Sequence, residues 1–382
     1  MSKWAGKFII GLTGNIATGK SVVRKMLEQL GAYGIDADAL AHRAISKGAP
    51  GFQPVLDTFG NWLLAPDGEI DRSKLGKVVF SDPEALKKLE QIIHPLVIQA
   101  VDYLIRRIKQ QVVVIEAIKL IESGMGALCD SIWVTYSPSD VQLNRLMSFR
   151  KMSELEARQR MDAQPSQELK LSAAHVVINN EKDIEDTWRQ VAAAWERLSP
   201  SLDNGPSTLV FRRPAAPGAE AMNVLRAKPR HAKEIADFLN RTRTPARMYQ
   251  PGDILIAYGE KAFLLLEMGQ KLVGLIGWQV ENLVARTMDM VISPQVAATE
   301  AIPVLINEME RASQDLQCEA SLVFVPSMYQ QLADVWQTLG YERREIEALD
   351  VQAWQEAARE SFQPDTVLYF KQLRQDRVLR PI

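Results

Sequence analysis

The sequence is poor in cysteine and has no long apolar segment. Its 382 residues include two cysteines, Cys129 and Cys318, which lie far apart and in no metal-ligand spacing. This pattern excludes a disulfide scaffold and a cysteine-based zinc site, and it is typical of a reducing compartment. No stretch approaches the roughly 18 apolar residues of a membrane helix, and the apolar run near the N-terminus is too short for a signal peptide. We therefore expect a cytoplasmic protein that does not enter a membrane.

A dominant charge is also missing. The chain has 45 Lys and Arg against 47 Asp and Glu, which gives a formal net charge of -2. Because no basic field is present, we expect no nucleic-acid partner. The length and the hydrophobic content of 47% are sufficient for two or three globular domains. Neither length nor composition indicates an oligomeric state.

The pattern of the chain divides it into two parts. Up to about residue 200, short strand-like runs such as KFIIGLTG alternate with amphipathic helical runs such as GKSVVRKMLEQLGA. This alternation implies an α/β fold with a parallel sheet and helices on both faces. Residues 201–221 are rich in Pro, Gly, Ser and Ala and read as a linker. Residues 222–382 then predict an α+β domain that contains consecutive antiparallel strands with a turn at Gly269.

Between the first predicted strand and the first predicted helix lies a Walker A pattern, Gly14-x-x-x-x-Gly19-Lys20-Ser21. Its glycines let backbone N–H groups converge on phosphates, and the following helix presents a positive N-terminus. Lys20 would neutralise charge on a transferred phosphoryl group, and the Ser21 hydroxyl would bind Mg²⁺. An ordinary glycine-rich turn is the structural alternative.

Two carboxylates, Asp36 and Asp38, follow the second predicted strand in IDADALAH. Ligands of open α/β sheets bind outside the carboxyl ends of the strands. One Asp there can therefore accept a proton from an attacking hydroxyl, and the other can help to hold Mg²⁺. Either side chain could instead cap the next helix, and the two interpretations are compatible.

A polar helical segment further along the chain, LNRLMSFRKMSELEARQRM, carries Arg145, Arg150, Arg158 and Arg160. Arginines on a mobile hairpin could close over phosphates and exclude water. A solvated charged face is the alternative.

Together with IIHP, IEAIKLIESG and AHVVINN, these blocks resemble the dephospho-CoA kinases over about the first 200 residues. The resemblance implies a P-loop kinase fold with a helical acceptor domain and a lid. It further implies transfer of the ATP γ-phosphate to the 3′-hydroxyl of dephospho-CoA, the last step of coenzyme A synthesis. ATP and Mg²⁺ would then be required.

The resemblance also assigns roles to residues. Asp38 would be the catalytic base, Arg145 and Arg150 would contact phosphates, and Gln164 matches a glutamine at the end of the lid. Asp36, His94 and Glu122 would lie near the acceptor, although His94 could simply be held in an extended conformation by Pro95. The ATP phosphates would rest on seven consecutive residues: Asn15, Ile16, Ala17, Thr18, Gly19, Lys20 and Ser21.

The sequence departs from the family pattern at several positions. Asn15, Ala17 and Thr18 stand where the family commonly has Gly, Gly and Ser. Lys151 stands where the family usually has Asp or Asn. His175 and Asn179 each replace an Asp. The phosphate-binding positions keep side chains that a Walker A loop tolerates.

The second half resembles the GNAT acyltransferase fold, with a final helix-and-strand segment SMYQQLADVWQTLGYERR. Acetyl-CoA-binding members carry a glycine-containing turn whose N–H groups hold the pyrophosphate at a helix N-terminus. The corresponding stretch here, ISPQVAATEAIP, contains no glycine. We therefore expect a degenerate, non-catalytic domain with a scaffold, sensing or dimerising role.

Three functions remain open at this point. The first is a dephospho-CoA kinase, with or without an active acyltransferase domain. The second is another small-molecule or nucleotide kinase that shares the P-loop and the lid. The third is a nucleotide-binding regulator, which would need no base at Asp38.

Overall fold

Buried β-branched and aliphatic runs form a parallel sheet in the first half of the chain. The computed structural model describes residues 3–198, 211–212, 221–243, 248–269 and 271–375. Within these, five parallel strands pair in the order β2-β3-β1-β4-β5. Their bounds are β1 Phe8–Thr13, β2 Tyr33–Asp36, β3 Val112–Glu116, β4 Ser131–Tyr136 and β5 Val176–Asn179.

Helices cover both faces of this sheet. One core cluster joins Ile10 and Leu12 to Val23 and Leu27, and another joins Ile9 and the β2 residues to the long helix before β3. The helices of this unit are α1 Lys20–Leu30, α2 Ala37–Ala44, α3 Phe52–Phe59, α4 Arg72–Ser81, α5 Pro83–Arg107, α6 Ser139–Arg150, α7 Glu154–Asp162, α8 Gln167–Ser172 and α9 Ile184–Leu198.

The second half contains a mixed sheet. Its described strands pair in the order β12-β13-β11-β10-β9-β8-β7-β6, and only the β10–β11 pairing is parallel. The strands are β6 Phe211–Arg212, β7 Met222–Arg226, β8 Ala262–Met268, β9 Lys271–Glu281, β10 Val284–Ile292, β11 Ala320–Pro326, β12 Glu342–Arg343 and β13 Thr366–Gln372. The helices are α10 Ala232–Thr242, α11 Pro251–Tyr258, α12 Ala298–Asp315, α13 Ala333–Thr338 and α14 Gln352–Ser361.

The predicted fold class, a parallel α/β unit followed by an α+β unit, is confirmed. Most of the predicted linker lies outside the described residues, but Phe211–Arg212 within it pair with β7. The domain limits at residues 200 and 222 stay a prediction. Among the described residues, no helix is long and apolar enough to cross a membrane.

A proline at position 95 predicts that the helix there ends or kinks, and the prediction of an end is wrong. Pro95 lies inside α5, which continues from Pro83 to Arg107. The helix tolerates the missing N–H because the turns that follow Pro95 bury Val97, Ala100 and Val101 against the protein, so packing outweighs the local cost. His94 is therefore helical and is not held in an extended conformation.

The two units share a buried interface at the β9–β10 turn. Arg43 of α2 donates two hydrogen bonds to the Glu319 carboxylate and one to the carbonyl of Asn282. The Glu319 side chain is completely buried. Leu283 has a positive φ of 62°, and it packs into the core cluster that also contains Tyr33 and Leu104. Burial of this side chain offsets the strain of its backbone.

We predict that loss of one member of the Arg43–Glu319 pair is more costly than loss of both. Glu319→Leu leaves a buried guanidinium without its carboxylate and should lower the free energy of unfolding by about 3–5 kcal/mol. The double variant Arg43→Met/Glu319→Leu should recover most of that loss. Urea denaturation measures both. The control is Glu154→Gln, which breaks an exposed pair with Arg158 and should cost less than about 1 kcal/mol. Additive losses in the double variant would contradict this account.

Candidate active site

The Walker A loop packs tightly against the ends of β4 and β5. A Cβ on Gly14 would lie 2.3 Å from Thr135 Oγ1, and a Cβ on Gly19 would lie 1.9 Å from Asn180 Nδ2. Gly19 also has a φ of 91°, which side chains rarely adopt. Only glycine therefore fits at Gly19, where the loop passes into α1.

Hydrogen bonds from residues that are distant in the sequence hold the loop on its protein side. Thr18 Oγ1 bonds both the Asn15 carbonyl and Thr135, and Asn180 Nδ2 donates to the Thr18 carbonyl at 3.0 Å. Arg145 of α6 donates to the Ala17 carbonyl at 3.1 Å and to the Asn180 carbonyl at 2.7 Å. The carbonyls are thus satisfied from the protein side, which leaves the N-terminus of α1 for an anion.

The segment after α7 closes the other side of the loop. The Gln164 Oε1 accepts a hydrogen bond from the Ile16 N–H at 2.7 Å, and Asn15 Nδ2 donates to the Pro165 carbonyl at 3.0 Å. Gln164 therefore bonds one of the N–H groups predicted to face phosphate. The segment after α7 and the Walker loop are therefore directly linked.

Lys20 lies in a buried cluster of opposite charges. It is 8% exposed, and its ammonium group donates to the Asn15 carbonyl at 3.3 Å. Burial lowers the pKa of Lys20, while the Glu116 and Asp38 carboxylates oppose that shift. Both carboxylates are therefore close enough to stabilise the charged amine.

Glu116, the last residue of β3, connects the sheet to the start of α1. It accepts hydrogen bonds from Ser21 Oγ at 2.8 Å and from Arg24 Nε at 2.7 Å. The Arg24 guanidinium also pairs with Glu28 one turn further along α1. A buried carboxylate that is bonded in this way fixes the orientation of the Ser21 hydroxyl.

The two aspartates after β2 have different surroundings. Asp36 caps α2, because its Oδ1 accepts the Ala39 N–H at 2.8 Å. Burial raises the pKa of Asp36 to about 6, with a further contribution from Glu116. Asp38 accepts the Ile118 N–H at 3.0 Å, and burial raises its pKa while that hydrogen bond and Lys20 lower it. Asp36 therefore has a structural role at the helix start, and Asp38 lies close enough to Lys20 for their charges to interact.

These residues match a known family along half of the chain. The sequence model of the dephospho-CoA kinase family matches residues 8–186. The dephospho-CoA kinase of Moorella thermoacetica is 40% identical over 203 residues, which are 52% of this chain and 96% of that protein. This chain belongs to the dephospho-CoA kinase family.

Solved structures are similar to each half separately. The dephospho-CoA kinase from Campylobacter jejuni is 29% identical, covers 50% of this chain and 98% of its own, and has a TM-score of 0.38. An acetyltransferase of the GNAT family from Staphylococcus aureus Mu50 is 15% identical, covers 40% of this chain and 99% of its own, and has a TM-score of 0.32. The predicted resemblance to the dephospho-CoA kinases is confirmed, and the resemblance of the second half to the GNAT fold stays a prediction.

The other predicted residues of this dephospho-CoA kinase family member lie on α6, on α5 and in the segment after β3. Arg150 is exposed at the end of α6, although its charge still lowers the pKa of Lys20. His94 is half-buried in the middle of α5. Glu122 lies 3.7 Å from the Lys170 ammonium, which also donates to the Ile118 carbonyl at 2.8 Å. The structure thus brings Asp38, Lys20 and Ser21 together, with Lys170 as a further neighbour.

Sequence reasoning missed Glu116 and Lys170. Glu116 ends a strand of four consecutive apolar residues, and an acidic residue at the carboxyl end of a buried strand is a usable signal. Lys170 offers no such signal, because only the fold places its side chain beside residues 118–122. Among the described residues, no group of three or more His, Cys, Asp or Glu side chains could hold a metal ion by itself.

We predict that Gly19→Ala disrupts the loop of this kinase. The added methyl group would overlap Asn180 Nδ2, so the loop must shift away from its bonded position. ATP affinity should fall at least about tenfold, with a loss of stability of about 1–3 kcal/mol. Calorimetric titration with ATP measures the first, and thermal unfolding measures the second. Gly252→Ala in α11, where nothing lies within 4 Å of the new atom, is the control. Unchanged ATP affinity in Gly19→Ala would refute the packing argument.

We also predict that Asp36→Asn stabilises the protein at alkaline pH. The folded-state pKa of about 6 lies above the ordinary value of 3.8, so ionisation costs the folded state free energy. This cost grows as pH rises from 4 to 6 and is complete above it, at up to about 3 kcal/mol. Asn keeps the helix cap and removes the charge. The variant should therefore unfold at higher urea than the wild type at pH 8, and the difference should vanish near pH 4. The control is Asp71→Asn, which changes the half-buried cap of α4.

Proposed function

We propose that this protein transfers the γ-phosphoryl group of ATP to the 3′-hydroxyl of dephospho-CoA, and so forms coenzyme A and ADP. The observation that carries the proposal is the convergence of Asp38, Lys20 and Ser21 at the carboxyl ends of β1 and β2. It is supported by membership of a family that this chain matches over nearly the full length of its relatives. A regulator that only binds nucleotide would need no such carboxylate near the Walker lysine.

Asp38 acts as the base in this proposal. Its raised pKa keeps the carboxylate more basic than an exposed aspartate, which suits it to accept the proton of the ribose hydroxyl. As that proton moves to Asp38, the hydroxyl oxygen bonds to the γ-phosphorus and the bond to the β–γ bridging oxygen breaks. ADP leaves with the charge that develops on that oxygen.

Lys20 stabilises this developing charge from the floor of the site. Its buried ammonium group can interact with the phosphoryl oxygens without first losing bound water, because the protein has already removed that water. Arg145 orders the Walker loop through the Ala17 carbonyl and acts as a positioning residue. Arg150, which is exposed beside the same site, can contact phosphate when the lid closes.

Mg²⁺ accompanies ATP in this proposal, and the residues present fit it. Ser21 Oγ and Glu116 Oε1 are adjacent oxygens at 2.8 Å, and Mg²⁺ sites in kinases use one or two protein oxygens together with phosphates and water. Ser21 would bind the ion and Glu116 would hold Ser21. The ion supplies charge neutralisation to the phosphates.

The GNAT-like unit has no catalytic role in this proposal. The turn before α12, residues 293–297, contains no glycine, and the N-cap residue Ala297 makes no side-chain cap. Side chains at these positions obstruct the close backbone approach to a pyrophosphate. The unit instead contacts α2 through Arg43, close to Asp38 in the chain.

The test combines an acceptor panel with an Asp38 variant. ADP release should be fastest with dephospho-CoA, and much slower with adenosine, AMP and other nucleosides. Asp38→Asn should reduce turnover by about 10²–10⁴-fold, while the dissociation constant for ATP changes little. Asp140→Asn, at the second residue of α6 as Asp38 is of α2, should keep turnover. Faster ADP release with another nucleotide would favour the second kinase function, and full turnover in Asp38→Asn would remove Asp38 from the mechanism.

A further inference from the structure

A cavity of about 180 Å³ lies between the two units at the far end of α1 from the Walker loop. Its walls come from the end of α1, from Gln110 before β3 and from the first strands of the second unit. α1 has 11 residues, so the cavity is roughly 15 Å from Lys20 along the helix axis. It is therefore a separate place from the phosphate site.

Arg226 of β7 lines this cavity, and the Glu28 carboxylate lines it too. Its guanidinium lies 5.6 Å from the centre of the Trp278 ring. Within the described part of the chain, its buried Nε has no hydrogen-bond partner. The carboxylate that acts on it is Glu28, which is already paired with Arg24. A half-buried guanidinium whose Nε is buried without a partner among the described residues is stabilised by an anion.

Other unsatisfied groups on the cavity wall are hydrogen-bond acceptors. Gln29 donates its Nε2 to the Tyr258 carbonyl, and this fixes its Oε1 as the free end of the amide. In the described structure, the buried Oε1 atoms of Gln29 and Gln110 have no donor. The charged side chains on the wall have both signs, since Lys25, Lys261, Glu28 and Glu260 line the cavity together with Arg226. Lys261 is paired with Asp289 and Glu28 with Arg24.

We propose that this cavity binds a small organic oxyanion that also carries hydroxyl or N–H donors. A phosphoryl or carboxylate group would pair with Arg226, and the donors would satisfy the amide oxygens of Gln29 and Gln110. Arg226 belongs to the second unit and Gln29 to the kinase unit, so the ligand contacts both. Bound ligand therefore stabilises the docked arrangement of the two units by mass action.

The test uses thermal unfolding and calorimetric titration of the full chain with four probes at constant ionic strength. Inorganic phosphate and acetate present the two anion types, and glycerol 3-phosphate and lactate add a hydroxyl to each. At least one hydroxyl-bearing probe should raise the unfolding midpoint and bind the wild type at least about tenfold more tightly than Arg226→Met. The Walker loop is identical in both proteins, so the difference isolates the cavity.

Matched variants separate binding from folding. Arg343→Met, on exposed strand β12, should bind as the wild type does. Gln29→Leu should lose the advantage of the hydroxyl-bearing probe over its simple anion.

Without ligand, Arg226→Met should unfold no earlier than the wild type, because an unpaired buried charge is removed. If Arg226→Met does not fold, the binding of the same four probes to Arg226→Lys and to Gln29→Leu takes its place. Equal binding of all four probes in wild type and Arg226 variants overturns the proposal, whether or not the kinase reaction is confirmed.

Discussion

The carboxylate of Glu116 is the contact on which the arrangement of the site depends. It ends β3 in the interior of the sheet, and it bonds the Ser21 hydroxyl and the Arg24 guanidinium together. Through Arg24 the same network reaches Glu28. A buried carboxylate with two strong donors is costly to disturb. The start of α1 is therefore held rigidly where the Walker loop delivers it.

Two buried acids near this network, Asp36 and Asp38, affect both the stability of the protein and its chemistry. Asp36 and Asp38 both have raised pKa values because burial disfavours their charge. Asp36 offsets part of that cost by capping α2, and Asp38 by accepting the Ile118 N–H. Functional sites commonly retain such unfavourable charges, since a basic carboxylate near a lysine is useful for proton transfer.

The second unit contacts the kinase unit at several buried points. The Arg43–Glu319 pair joins α2 to the start of β11, and the Tyr33 hydroxyl donates to the Leu316 carbonyl. Leu283 completes a core cluster of the kinase unit. Because buried pairs and shared apolar packing are lost together when the units separate, the two halves should behave as one body in stability measurements.

Local features were determined by the sequence alone, and contacts between distant residues were not. The Walker loop, the caps of the helices and the alternation of strands and helices follow from spacing over a few residues, where propensity and backbone sterics act. Three contacts join residues about 95 to 161 positions apart. They are the Ser21–Glu116 bond, the fit of Gly19 against Asn180 and the bond from Ile16 to Gln164. Such contacts have no periodic signal, because they depend on which strands become neighbours. For the same reason, only the tertiary structure brings Arg226 and Gln29 to one cavity, and only packing keeps Pro95 inside a continuous helix.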